Sequence, residues 1–109
     1  MDNYEVGFEL ILYAGNARSK ALMAISEAEE GNIEQAKILL QEAKEELKRA
    51  HKTQTNLIQG EAAGDDVSIN MLLIHSQDHF AMAITSIDNS EIIIRLIERI
   101  MKLEKVEGI

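Results

Sequence analysis

The chain has 109 residues, a formal net charge of −8 and neither cysteine nor proline. This length suits a single domain over residues 1–109, and the lack of cysteine excludes disulfides and thiolate metal sites. The acidic balance argues against nucleic acid or an anionic membrane surface as a partner, and it favours a basic protein surface.

The composition predicts an all-α protein with long helices. Hydrophobic residues make up 46% of the sequence but aromatic residues only 4%, and β-branched runs bounded by turn signals are scarce. No apolar run approaches the roughly 18 to 20 residues that span a membrane, and the first ten residues do not resemble a signal peptide. We therefore expect a cytoplasmic protein that does not insert into a membrane.

The first predicted helix begins near Asp2, because Asp2 and Glu5 have the spacing of a capping box. Its apolar residues follow a 3-4 spacing and are nearly all small, which lets neighbouring helices approach closely. This small-residue seam consists of Gly7, Leu10, Ala14, Ala17, Ala21, Ala24 and Ala28.

The second predicted helix begins after Asn32, which would act as N-cap with Gln35 at the capping-box position. The face of this helix that lies opposite its buried seam is rich in Glu and Lys, as expected of a solvated helix surface. The seam of this helix consists of Ala36, Leu40, Ala43, Leu47, Ala50, Gln54 and Leu57.

The third predicted helix begins near Ser68, a plausible N-cap, and extends towards the C-terminus. The polar run Asp88-Asn89-Ser90 predicts a kink or a break. Three such helices with short loops would form an antiparallel bundle. The third helix has apolar residues on more than one face, and this surplus favours self-association.

The stretch MLLIHSQDHFAM, residues 71–82, places polar residues inside this apolar helix. At about 100° per residue, His75, Asp78 and His79 share an arc of about 100°, whereas Gln77 points nearly the other way. Asp78 then lies in the middle of a mostly apolar stripe. That stripe contains Met71, Ile74, Met82 and Thr85.

A carboxylate on an apolar stripe needs a partner, because burying an unpaired charge is costly. For Asp78 the candidates are a hydrogen-bond donor such as Gln54, a metal ion, or a proton shared with copies of itself at a symmetry axis. The last two candidates suit an oligomer whose seam contains the stripe.

Three chemistries compete for His75 and His79. A His-x3-His pair can bind zinc, but the Glu expected after the first His of a zincin is Ser76 here. A His/Asp pair can serve as general acid and base. A neutral imidazole can also accept a phosphoryl group, a reaction that needs positioning and charge stabilisation more than a deep pocket.

The sequence resembles the enzyme IIA component of the lactose/cellobiose branch of the bacterial sugar phosphotransferase system. The stretches that carry the resemblance are AGNARSKALMAI at 14–25, QTNLIQGEAAG at 54–64 and above all HSQDHF at 75–80. Within this family the last motif reads His-Ala-Gln-Asp-His-Leu-Met. The resemblance covers nearly the whole chain.

The resemblance implies a three-helix subunit and a nine-helix homotrimer. It implies that His75 accepts a phosphoryl group from the phosphocarrier HPr and passes it to a sugar-specific IIB component, for uptake and phosphorylation of a β-linked disaccharide. His79 and Gln77 match supporting residues, and Asp78 matches an aspartate near the three-fold axis, where a divalent metal such as magnesium can bind. The sugar itself is left open.

This sequence departs from the family motif at Ser76, which adds a hydroxyl near the site, and at Phe80-Ala81. For His51 a structural or partner-proximal role is favoured, whereas Arg18 is a candidate phosphate-proximal cation. A two-component phosphotransfer domain is rejected, because the His-x-x-Lys-Gly run typical of that class is absent. A metal-stabilised helical oligomer without phosphotransfer is the alternative that stays open.

Overall fold

The computed structural model describes the backbone of residues 2–107, which forms three helices and, within that range, no strand. The helices are α1 (Asn3–Glu29), α2 (Ile33–Ala62) and α3 (Met71–Glu107). A short turn joins α1 to α2, and a longer connection over residues 63–70 joins α2 to α3. The predicted all-α bundle is confirmed.

The capping box predicted at the start of α1 is present. The Glu5 backbone N–H donates to Asp2 Oδ1 at 2.9 Å, and the Asp2 N–H donates to Glu5 Oε2 at 3.2 Å. Two backbone donors that the helix cannot satisfy itself are thereby bonded.

The turn between α1 and α2 differs from the prediction. Asn32 does precede α2, but its side chain makes no capping hydrogen bond, so the predicted capping box with Gln35 is wrong. The Asn32 amide donates instead to Glu27 Oε2 at 2.8 Å, because a charged acceptor lies within its reach. Gly31, with φ 87°, provides the left-handed residue that reverses the chain here.

The start of α3 is also corrected. The helix begins at Met71, and its cap is Asn70, whose Oδ1 accepts from the Leu73 N–H at 2.8 Å. Ser68 therefore precedes the helix and is not its N-cap. Asn is as good an N-cap as Ser, and Asn70, which the prediction did not consider, caps the helix.

α3 continues through Asp88-Asn89-Ser90, so the predicted break is wrong, while the other alternative, a kink, stays a prediction. The Ser90 hydroxyl is buried and donates to the Ser86 carbonyl at 2.6 Å, one turn back in the same helix. Asp88 and Asn89 are exposed, and water can solvate their polar groups. A polar run of this kind fits a continuous helix when each residue has a partner or solvent.

α1 lies between the other two helices. It packs along both α2 and α3, whereas α2 and α3 contact each other far less. The small-residue seam of α1 is buried along its whole length. Where α2 and α3 do meet, ion pairs join them, at 3.2 Å between Lys44 and Glu91 and at 3.5 Å between Lys37 and Glu98.

The side of α3 that faces away from α1 and α2 carries a long exposed apolar stripe. It includes Met71, Ile74, Met82, Ile92, Leu96, Ile100 and Leu103, which are 40–78% exposed. Single exposed apolar residues are ordinary, but a continuous stripe along a helix of 37 residues is typical of an interaction surface.

We expect Ala21→Leu to lower the free energy of unfolding by about 1–3 kcal/mol, because Ala21 is fully buried where helices are close and added methylenes would force them apart. Ser19→Leu, at an exposed position two residues away, should change it by less than about 0.5 kcal/mol. Urea unfolding of both variants tests this. Equal midpoints would contradict close packing at the seam.

Candidate functional site

His75 and His79 lie one turn apart on α3 and contact each other directly. Their Nε2 atoms are 3.0 Å apart, and the two rings meet edge to face with centroids 4.5 Å apart. His75 is exposed and His79 half-buried. A hydrogen bond between two imidazoles requires one ring to offer an N–H and the other a lone pair, so the pair already combines a donor with a nucleophilic nitrogen.

The buried side of the same turns explains how the pair is held. Leu73, Ser76 and Phe80 face the interior, and this leaves the two histidines on a flank of α3. The Ser76 hydroxyl is fully buried and donates to the Leu73 carbonyl at 2.6 Å. The hydroxyl that was expected near the site therefore lies in the core beneath it, with its hydrogen bond satisfied inside the helix.

Gln77 points away from the two histidines, as the helical wheel predicts, and binds α2. The side-chain amides of Gln54 and Gln77 bond reciprocally, at 2.7 Å and 2.8 Å. Gln54 was one candidate partner for Asp78, and within the chain that candidate is wrong because Gln77 occupies its amide. We call this pair the amide clasp. It joins α2 to α3 where the two helices otherwise have little contact.

Asp78 is exposed in the middle of the apolar stripe of α3, as the wheel predicts. Among the described residues, its carboxylate has no ion pair or hydrogen bond within the chain. Carboxylate oxygens suit magnesium, but the side chains that the structure describes in one chain include no group of three His, Asp or Glu that could hold a metal. A metal at Asp78 therefore needs ligands from outside a single chain.

His51 lies outside the histidine pair. Its ring, on α2, is 6.0 Å from the ring of Phe80, centroid to centroid, at a tilt of 39°. Phe80 is buried with Val6, Leu10 and other core residues, so the departure from the family motif at this position is accommodated in the core. A structural role for His51 agrees with this contact.

An open apolar groove of about 220 Å³ borders the amide clasp, between the end of α2 and the start of α3. Its lining includes the exposed side chains of Ile58, Ile69 and Ile74. His75 is not among its lining residues, because the groove lies on the side of α3 that carries Gln77, away from the histidine pair. Sequence patterns give no signal for this groove or for the clasp, because residues 54 and 77 belong to different helices.

Comparisons with known proteins decide the family. The family described as PTS system, lactose/cellobiose specific IIA subunit, matches residues 5–98. The chain belongs to this family. It is 45% identical over 96 residues to the lichenan-specific phosphotransferase enzyme IIA component of Bacillus subtilis, a match that covers 88% of this chain and 87% of that protein.

Solved structures of IIA proteins have the same fold. The cellobiose-specific enzyme IIA of Bacillus anthracis superposes with a TM-score of 0.91 at 39% identity, over 94% of each chain. The IIA protein of the N,N'-diacetylchitobiose branch of Escherichia coli, solved in complex with HPr, superposes with a TM-score of 0.80 at 30% identity, over 93% of this chain and 98% of that one. In the described part of the IIA chain, no helix has the length and apolar character to cross a membrane.

We expect Gln54→Leu to lower the free energy of unfolding by about 1–3 kcal/mol, because the partly buried amide of Gln77 would lose its partner. The double variant Gln54→Leu/Gln77→Leu should recover part of this loss, with a coupling of at least about 0.5 kcal/mol in a double-mutant cycle. Gln59→Leu, exposed one turn further along α2, is the control. Additive effects would mean that the clasp contributes nothing to stability.

Proposed function

We propose that this IIA protein is a phosphocarrier that accepts a phosphoryl group on His75 from phospho-HPr and passes it to a sugar-specific IIB component. The observation that carries the proposal is the exposed His75, whose Nε2 lies 3.0 Å from that of His79. Membership of the IIA family supports the role, and a IIA relative solved with HPr supports the donor.

The step is a displacement at phosphorus. The Nε2 lone pair of His75 attacks, the bond between phosphorus and the donor breaks, and the electron pair of that bond leaves with the donor. His79 offers its Nε2–H, which bonds Nε2 of His75 before attack and a phosphoryl oxygen after it. Nδ1 of His75 carries the ring proton, which leaves Nε2 free to act as the nucleophile. Transfer to IIB reverses these roles.

The exposed position of the pair suits transfer between proteins, because a partner can supply the other half of the site. The net charge of −8 favours encounter with basic surfaces on HPr and IIB. The transferred group would serve uptake of a β-linked disaccharide in the cytoplasm. Relatives named for cellobiose and diacetylchitobiose support that substrate class.

The proposal includes a homotrimer in which the apolar stripes of three α3 helices meet. Covering this stripe would remove its exposed apolar surface from water. Three Asp78 carboxylates would then share one axis, and like charges at that distance need a magnesium ion or shared protons between them. One subunit supplies only one of these carboxylates, so such a metal site would need Asp78 from all three subunits.

We expect the wild-type protein to gain one phosphoryl group when it is incubated with phosphoenolpyruvate, enzyme I and HPr. His75→Ala should gain none, because the nucleophile is gone. His79→Ala should react about a hundredfold more slowly, as loss of a positioned donor implies. His51→Ala is the matched control and should behave as wild type. Intact-mass measurement over time reports all four proteins.

Two outcomes would contradict this function. If the wild type gains no mass with an HPr that phosphorylates another IIA protein, a metal-stabilised oligomer without phosphotransfer is the better account. Alternatively, His75→Ala could gain the same mass as wild type, and the acceptor would then be another residue.

We expect Asp78→Leu to keep or tighten the trimer, because it removes three like charges from an apolar seam. Sedimentation equilibrium with and without a chelator measures the effect. Asn89→Asp, which adds a charge at an exposed position three turns further along α3, is the opposite change and should weaken the trimer. If Asp78→Leu dissociates the protein and chelation dissociates the wild type, Asp78 is needed as a metal ligand.

A further inference from the structure

We propose that Arg18, on α1, binds the phosphoryl group carried by His75. The inference rests on the phosphocarrier function proposed above and assigns a further residue to that site. It concerns the phosphorylated form, in which a doubly charged group is added to the flank of α3.

The first support is the position of Arg18 along the bundle. α1 and α3 run in the same direction, and Gly7 of α1 packs against Leu72 of α3. A Cβ added to Gly7 would lie 3.1 Å from the Leu72 Cγ. Eleven residues further along α1, Arg18 lines a shallow recess together with residues Ala81, Met82, Thr85 and Ser86 of α3. Arg18 therefore reaches α3 about one turn beyond His79.

The second support is the position of that recess around the axis of α3. Ser86 follows His79 by seven residues and shares its flank of the helix, whereas Met82 and Thr85 belong to the stripe around Asp78. The recess therefore lies where the histidine flank meets the stripe. Three residues span roughly 5 Å of helix axis, and an extended arginine side chain covers a similar length. The Arg18 guanidinium can therefore swing along this flank from the recess towards the histidine pair.

The third support is charge. α3 has no Lys or Arg before Arg95, and the other cation of α1, Lys20, is paired with Glu42 at 3.8 Å. Arg18 is exposed and has no ion pair with any side chain that the structure describes. A phosphoryl group would add negative charge to a protein whose net charge is already −8, and an unpaired cation close to the group would stabilise that charge. A guanidinium can also bind two phosphoryl oxygens at once.

The test uses the full-length protein and potassium phosphoramidate, a small chemical donor that phosphorylates histidine without HPr. The phosphorus resonance of phospho-His75 is then titrated with pH. A cation beside the group favours its doubly charged form, so Arg18→Gln should raise the pKa of the phosphoryl group by about one unit, and Arg18→Lys by less. Arg95→Gln, which removes the same charge far along α3, should leave that pKa at the wild-type value.

A second measurement follows transfer from phospho-HPr. We expect Arg18→Gln to shift the transfer equilibrium towards HPr by about tenfold, with Arg18→Lys intermediate, because a charge-assisted contact to the product is lost. Matching thermal melting of all variants shows that the fold is intact. Identical titrations and equilibria for Arg18→Gln and Arg95→Gln would overturn the proposal.

The two proposals fail in different ways. If wild type accepts phosphate from phosphoramidate but never from competent HPr, the phosphocarrier function fails, while the titration still reports on Arg18. If wild type exchanges phosphate with HPr and Arg18→Gln does so equally well, only the role of Arg18 is overturned.

Discussion

The close packing of α1 through a seam of small side chains is the constraint on which the rest of the molecule depends. Alanines along this seam are almost completely buried, so α1 occupies little volume and both other helices approach it. Since α1 uses its buried residues on two partners, α2 and α3 meet mainly through ion pairs and the amide clasp. α3 consequently has one face in the core and the opposite face exposed.

That division of α3 gives the polar run at residues 75–79 its separate functions. The helical period sends Ser76 into the core, Gln77 towards α2, Asp78 to the outward stripe, and the two histidines to a flank between the core and the stripe. Five consecutive polar residues therefore do not compete for one environment. The clasp and the buried residues hold the backbone, and this positions two imidazoles at hydrogen-bond distance without a deep pocket.

Properties that repeat with the helical period were predictable from the sequence. The seam of α1, the shared face of His75 and His79, and the exposed stripe around Asp78 all follow from spacing. Local hydrogen bonds were less predictable, because spacing does not rank competing partners. The Asn32 side chain binds the Glu27 carboxylate and does not cap α2, and Asn70 caps α3 in place of Ser68. Contacts between helices, such as Gln54 with Gln77, depend on register, which no single sequence pattern reports.

The central claim is that Nε2 of His75 is the phosphoryl acceptor, with His79 as its hydrogen-bond donor. Two-bond proton–nitrogen correlation spectra of the phosphorylated, nitrogen-labelled protein identify the modified nitrogen directly. The account predicts phosphorus on Nε2 of His75, with its Nδ1 and the Nε2 of His79 both protonated in that state. Phosphorus on Nδ1 of His75, or on His79 or His51, would contradict it.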